Sequence, residues 1–272
     1  MAELIITNAL IVPMTEERRS FAGYVRVRNG AIAEIGGGAA PKIEDGKAVI
    51  DAAGCALMPG LINAHTHLYQ VLLRAVWEDL ELMPWLKRIY GCARVLRPEH
   101  FYAGSLLGCV EAIRSGVTTL CEHNFLNPSP ECGLETIRAI RDSGLRSVFA
   151  RTIMDTGEIV PDCTKEKPEQ AFQRIDAMVA RHGGDDLLTF MTGPNTPPIN
   201  TTPELLREIA ALPMTGRSAS ARTSPNRSRW SSACNTNMAK TAWSSFFSSS
   251  AFPPPSRSSP IRFMCRRMKS RY

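Results

Sequence analysis

The sequence predicts an α/β protein with three segments. These are a small β-rich, sandwich-like domain over residues 1–57, about four βα units over residues 58–212 and an irregular tail over residues 213–272. Three observations carry the prediction. Residues 1–58 read as short strands, with β-branched residues, alternation and turn signals. From residue 58, apolar strand-like runs alternate with helical repeats, which implies parallel strands joined by crossovers. Beyond Leu212 both periods stop. A closed (β/α)8 barrel needs eight units, so the middle segment corresponds to the first half of one.

The elements follow in order. "ELIITNALIV" and "YVRVRNGAIAEIG" alternate as strands, with Asn29-Gly30 as a hairpin signal inside the second run. "AVIDAAGCALMPG" adds a further strand pair. "CALMPGLINAHTH" is an apolar strand, and a helical stretch is expected over roughly 69–90. Pro98 opens a helix in which Tyr102, Leu106, Val110 and Ile113 recur at helical spacing, and Gly116 sits where a C-cap belongs. "VTTLCEH" is the next strand. "LETIRAIRDSG" is a helix with Leu134, Ile137 and Ile140 on one face, followed by the strand-like "LRSVFAR". Pro168 opens "PEQAFQRIDAMVARHGG", and "DLLTFMTG" is a strand. "TPELLREIAAL" begins with Thr202 as N-cap and Pro203 at the first helical position.

The formal charge of +6 is a property of the tail. Of the 32 Lys and Arg, 11 lie beyond Glu208 and no Asp or Glu does, so residues 1–208 carry 21 basic against 26 acidic side chains. Serine breaks at the same place, with 6 before residue 209 and 15 after it. The Ser, Arg and Pro richness of the tail matches a disordered composition, yet it holds two Trp and four Phe. A basic tail that weakly binds nucleic acid is the reading this charge suggests, but the acidic body gives no reason to expect a nucleic-acid partner. The start carries Glu3 and no basic stretch, so no signal peptide is expected. No apolar run reaches membrane-spanning length, so no membrane partner is expected either. The eight cysteines include no CxxC pair, which argues against a disulfide framework and a cysteine zinc site. They are expected to pack as small hydrophobes in a reduced, cytoplasmic protein.

"MPGLINAHTHLYQ" holds the main chemical signal. On a strand, residues i and i+2 point to one face, so His65 and His67 can present both imidazoles to one divalent metal. Asn63 shares that face. The plainer reading is two polar residues at a strand end. Metal binding is favoured because the HxH ends the first strand of a βα series, after the turn-forming Pro59-Gly60, where barrel active sites lie.

"VIDAAGCALMPGLINAHTHLYQVLLR" and "EAIRSGVTTLCEH" resemble the amidohydrolase superfamily. Within it, the chain resembles the branch of triazine hydrolases and of aminohydrolases acting on purine-like, pyrimidine-like and nucleoside-like rings, over about residues 3–212. The resemblance implies a distorted barrel holding a divalent metal, zinc or iron, with His65 and His67 as the first-strand ligands. It also implies a strand-five and a strand-six histidine, a strand-eight aspartate and a glutamate that shuttles protons. The metal then lowers the pKa of a bound water, and the hydroxide attacks a ring carbon bearing an amino or halide leaving group. The implied substrate is a small heterocycle, and oligomers are common in such families. Some nucleoside-type relatives carry an acid where this chain has Pro84.

Other candidates are weaker. His123, at the end of the second barrel strand, faces either the pocket, where it contacts substrate, or the core or surface. Glu122 alternates to the other face. Trp85 either lines a ring-binding pocket or packs with Trp77 along a helix. His100 and His182 are expected to be structural or solvated. No catalytic residue of the implied set is retained in the chain as written.

The break near Leu212 is predicted to be a reading-frame shift. Taking the third base of each codon with the first two of the next, Leu212–Arg227 can be re-read as "AHDRPVGIRTHVAES", which holds the implied histidine with its glutamate. Pro254–Arg271 can be re-read as "AVTVIAHSVHVSPDEIE". Some letters are forced: Met238 before Ala239 gives Gly, Met264 before Cys265 gives Val, and Met268 before Lys269 gives Glu. Two functional classes follow. One is a metal-dependent hydrolase of non-peptide carbon–nitrogen bonds in a purine-, pyrimidine- or triazine-like ring, by deamination or dechlorination. The other is a truncated product without activity.

Overall fold

The structure is a computed structural model, and it describes residues 3–17, 19–41, 48–197, 199–211 and 231–232. The chain divides into two compact units, residues 1–64 with 110–120 and residues 65–109 with 121–272.

The first unit contains a five-stranded sheet. Its strands are β1 (Glu3–Ile11), β2 (Phe21–Arg28), β3 (Ala31–Gly37), β4 (Ala48–Asp51) and β5 (Ala56–Leu57). The order is β3-β2-β1-β4, and β5 also pairs with β1. The predicted hairpin forms between β2 and β3. Asn29 and Gly30 both take positive φ, 51° and 79°, as a type I′ turn demands. "AVIDAAGCALMPG" does yield two strands, but they do not pair with each other. Both run parallel to β1 instead. Ala9, Ile11 and Val25 form the buried core of this sheet.

The second sheet has the order β10-β9-β8-β7-β6. Its strands are β6 (Leu61–Thr66), β7 (Val117–Asn124), β8 (Arg146–Ile153), β9 (Leu188–Pro194) and β10 (Ser231–Ser232). Strands β8 and β9 pair parallel from Ser147↔Leu188 to Ile153↔Pro194. The helices between them are α1 (Leu82–Gly91), α2 (Pro98–Arg114), α3 (Pro130–Ser143), α4 (Pro168–His182) and α5 (Pro203–Ala210). Four strand–helix units are therefore present, as the pattern predicts. Gly116 follows α2 with φ 82°, and the Thr202 hydroxyl accepts from Leu205 N–H at the start of α5.

Three expectations change. The stretch over roughly 69–90 is not one helix. It is a 3-10 segment, Leu68–Leu73, then turns, then α1. Pro84 has no N–H to give a helix running through it, so the helix restarts at Leu82, which leaves Pro84 in its first turn. Ala75, at φ 64°, breaks the path between the two pieces. Helix α3 starts at Pro130 rather than Leu134, because Ser129 and Pro130 supply a start signal. In the tail, Ser231 and Ser232 pair parallel with Met191 and Thr192 on the outer edge of β9. The other residues of 213–272, including both shifted-frame segments, lie outside the described residues.

Within the second unit, Tyr69, Tyr90, Phe101, Phe125 and Leu126 form a buried cluster. Side chains tie the loop after β9 to α1 and to the loop after β8. Asn200 donates to the Tyr90 hydroxyl at 2.7 Å, and Thr202 N–H donates to Asp155 at 2.9 Å. Arg151 is buried on β8 and pairs with buried Glu166, whose other oxygen accepts from Arg174 at 2.7 Å. No described helix is long and apolar enough to cross a membrane.

Candidate metal centre

Strand β6 ends at Thr66, and His67 continues its extended path into the 3-10 segment. His65 and His67 therefore emerge on the same side. His123 sits one residue from the end of β7, the neighbouring strand. The three imidazoles form a nearly regular triangle. Their ring centres are 4.8 Å apart for His65–His67, 5.1 Å for His65–His123 and 5.0 Å for His67–His123. One ring nitrogen of each lies within 4.8 Å of the other two. Among the described residues this is the one His, Cys, Asp or Glu group with metal-ligand spacing.

Two features suit these rings to a cation. First, His67 Nδ1 lies 2.7 Å from the carbonyl oxygen of His123. A carbonyl only accepts, so Nδ1 carries the proton and Nε2 keeps a lone pair. Second, burial removes the charge that would repel a metal. It pushes His67 down to about 4, partly opposed by the carbonyl. It pushes His123 down to about 3, with His67 and His65 adding to the effect. Burial also lowers His65. All three rings are neutral near pH 7. The Nδ1 of His123 is buried and makes no hydrogen bond, an omission worth ~1–3 kcal/mol. A cation in the triangle fits this donor set.

The supporting groups come from β7 and the turn after it. Glu122 faces away from His123 and is fully buried. Its Oε2 accepts from Leu68 N–H at 2.7 Å, which pins the amide next to His67. Burial pushes the Glu122 carboxyl up to about 8, against the pull of Leu68 N–H and Asn124. Phe125 stands edge-on to His67 with ring centres 4.9 Å apart, and it joins the triangle to the buried cluster.

The structure thus brings His65, His67 and His123 together. Trp85 is half-buried against the cluster that contains Tyr69 and Phe125, as is Trp77. His100 accepts from Arg97 N–H at 3.0 Å at the start of α2, and His182 ends α4. Sequence reasoning missed the roles of Glu122 and Phe125. A signal for Glu122 exists: Leu120, Glu122 and Asn124 share the buried face of β7 with a period of two.

A family model described as the amidohydrolase family matches residues 56–218. A 5-methylthioadenosine/S-adenosylhomocysteine deaminase of Bacillus cytotoxicus is 35% identical over 211 residues, covering 76% of this chain and 46% of that protein. A 5′-deoxyadenosine deaminase of Methanothermobacter thermautotrophicus is 33% identical over 211 residues, covering 77% and 45%. The chain spans slightly less than half the length of these relatives. Among solved structures, an atrazine chlorohydrolase variant from Arthrobacter aurescens, complexed with zinc and atraton, is similar in fold. Its TM-score is 0.66 at 22% identity, covering 76% of this chain and 50% of that one.

Proposed function

The chain belongs to the amidohydrolase family, and on that premise we propose that it serves metal-dependent hydrolysis at a ring carbon of a small nitrogen heterocycle. The favoured reaction exchanges a ring amino group for oxygen, with water consumed and ammonia released. A purine-like ring is the leading substrate class, because the relatives named above are deaminases of adenosine derivatives.

The observation that carries this reading is the histidine triangle at the ends of β6 and β7. His65 and His67 would hold the divalent cation, zinc or iron by resemblance. When bound, such an ion brings the pKa of a water close to neutrality. The chain's own residues prepare the site. The His123 carbonyl fixes the tautomer of His67, Glu122 holds the backbone that carries it, and Phe125 shields one edge of its ring. The proton-shuttling glutamate implied by the resemblance is not among the described residues. The reading therefore extends only to what β6–β9 and their helices hold.

The test loads the full chain with zinc or iron and measures ammonia release from adenosine-type nucleosides, guanine, cytosine and aminotriazines. The same assay is run on the product of the gene read through the shifted frame, which carries the implied histidine and glutamate. Turnover of a purine-type ring is expected there, with loss of turnover in its His65→Ala and His67→Ala variants. A fully loaded shifted-frame product that releases no ammonia from any of these rings overturns the reading.

A further inference from the structure

We propose that His123 is a metal ligand, so that His65, His67 and His123 form a three-histidine site for a divalent cation, zinc first, built from β6 and β7 alone. This goes beyond the hydrolase reading, which draws only His65 and His67 from the described residues, and it shares those two ligands with it.

Four observations support it. The ring nitrogens of all three residues already lie within 4.8 Å of one another. A tetrahedral zinc with Zn–N of ~2.1 Å sets its nitrogens about 3.4 Å apart. The widest pair must therefore close by up to about 1.4 Å, a side-chain rotation on fixed strand ends. His123 Nδ1 is buried and makes no hydrogen bond. A ring that served only to pack would leave that nitrogen unsatisfied. The hydrogen bond from His67 to the His123 carbonyl makes one residue do two jobs: its backbone orients one ligand while its ring supplies another. Finally, His65 is exposed, whereas His67 and His123 are half-buried. The open side of the triangle therefore faces solvent, and three imidazoles with one free position match a zinc site that keeps an exchangeable fourth ligand.

Zinc affinity of the full chain is measured by competition with a chromophoric chelator, and cobalt(II) loading is followed by visible absorption. Loss of an orienting partner alone costs ~10–100-fold in metal affinity. His123→Gln, which removes a ligand, is expected to weaken zinc binding by at least about 100-fold. His123→Cys supplies a thiolate in place of the ring. Its cobalt complex is expected to show a thiolate charge-transfer band that the wild-type complex lacks, with an affinity restored above that of His123→Gln. Circular dichroism confirms that each variant is folded. Wild-type affinity in His123→Gln, or a cobalt-loaded His123→Cys without the thiolate band, overturns the proposal. His65→Ala and His67→Ala separate the two readings. If they abolish binding while His123→Gln does not, only the assignment of His123 falls. If they leave affinity unchanged, the metal of the proposed hydrolase falls as well.

Discussion

Replacing Glu122 tests how the metal centre is held in place. Its carboxyl accepts from Leu68 N–H at 2.7 Å in a fully buried setting. Glu122→Ala leaves that amide without a partner, a loss of ~1–3 kcal/mol. Truncation beyond Cβ also removes a methylene and a carboxyl carbon from a packed site, a further ~1 kcal/mol. The expected loss of stability is about 2–4 kcal/mol. Glu122→Gln behaves differently. Burial pushes the carboxyl up to about 8, so the side chain is mostly neutral at pH 7 and glutamine reproduces its shape and its acceptor. That variant is expected to stay within about 1 kcal/mol of wild type. Urea unfolding of chelator-treated protein, followed by circular dichroism, gives both numbers. The same anchor positions His67, so zinc affinity is expected to fall ~10–100-fold in Glu122→Ala and to recover in Glu122→Gln. An alanine variant as stable and as tight for zinc as wild type refutes the reasoning.

Three other predictions follow from separate parts of the molecule. Glu166→Ala leaves Arg151 buried without its counter-charge and is expected to cost ~3–5 kcal/mol, whereas Arg174→Ala, at 38% exposure, is expected to cost under ~1 kcal/mol; equal losses in urea unfolding contradict this. Cys55 and Cys163 are exposed, whereas burial pushes the Cys109 thiol up to about 11. A thiol reagent, mapped by peptide mass, is therefore expected to label the first two in the native protein and Cys109 only after unfolding. Rapid native labelling of Cys109 refutes its burial. The reading-frame shift is checked on the gene itself: the codons of residues 219–227, read one frame over, are expected to spell His-Val-Ala-Glu, and any other reading there refutes it.

Much of the fold follows from local signals. Asn29-Gly30, Pro98, Pro168 and Thr202-Pro203 each act within a few residues, and each sits where the structure turns, starts or caps an element. The strand pattern of "AVIDAAGCALMPG" is equally local, but its partner is not. Both halves align on β1, some 45 residues earlier, and no period in the sequence records that choice. The site shows the same division. His65 and His67 are legible because strand alternation alone puts them on one side. His123 enters only when β7 docks beside β6, so the sequence left its role open. Glu122 was placed on the correct face by alternation. Its use as an anchor for Leu68 needed the turn after His67, which the sequence had drawn as an ordinary helix.

The triangle of rings has a spacing close to that of the sheet that bears it. Ring centres 4.8–5.1 Å apart match the ~4.7–4.9 Å repeat between neighbouring strands. An ion seated there would act as a staple as well as a reagent. It would join residue 67 to residue 123 and close a loop of about 55 residues, which an unfolded chain gives up entropy to form. Folding and metal uptake then become one equilibrium, and the unfolding midpoint rises with free zinc as ligand linkage requires.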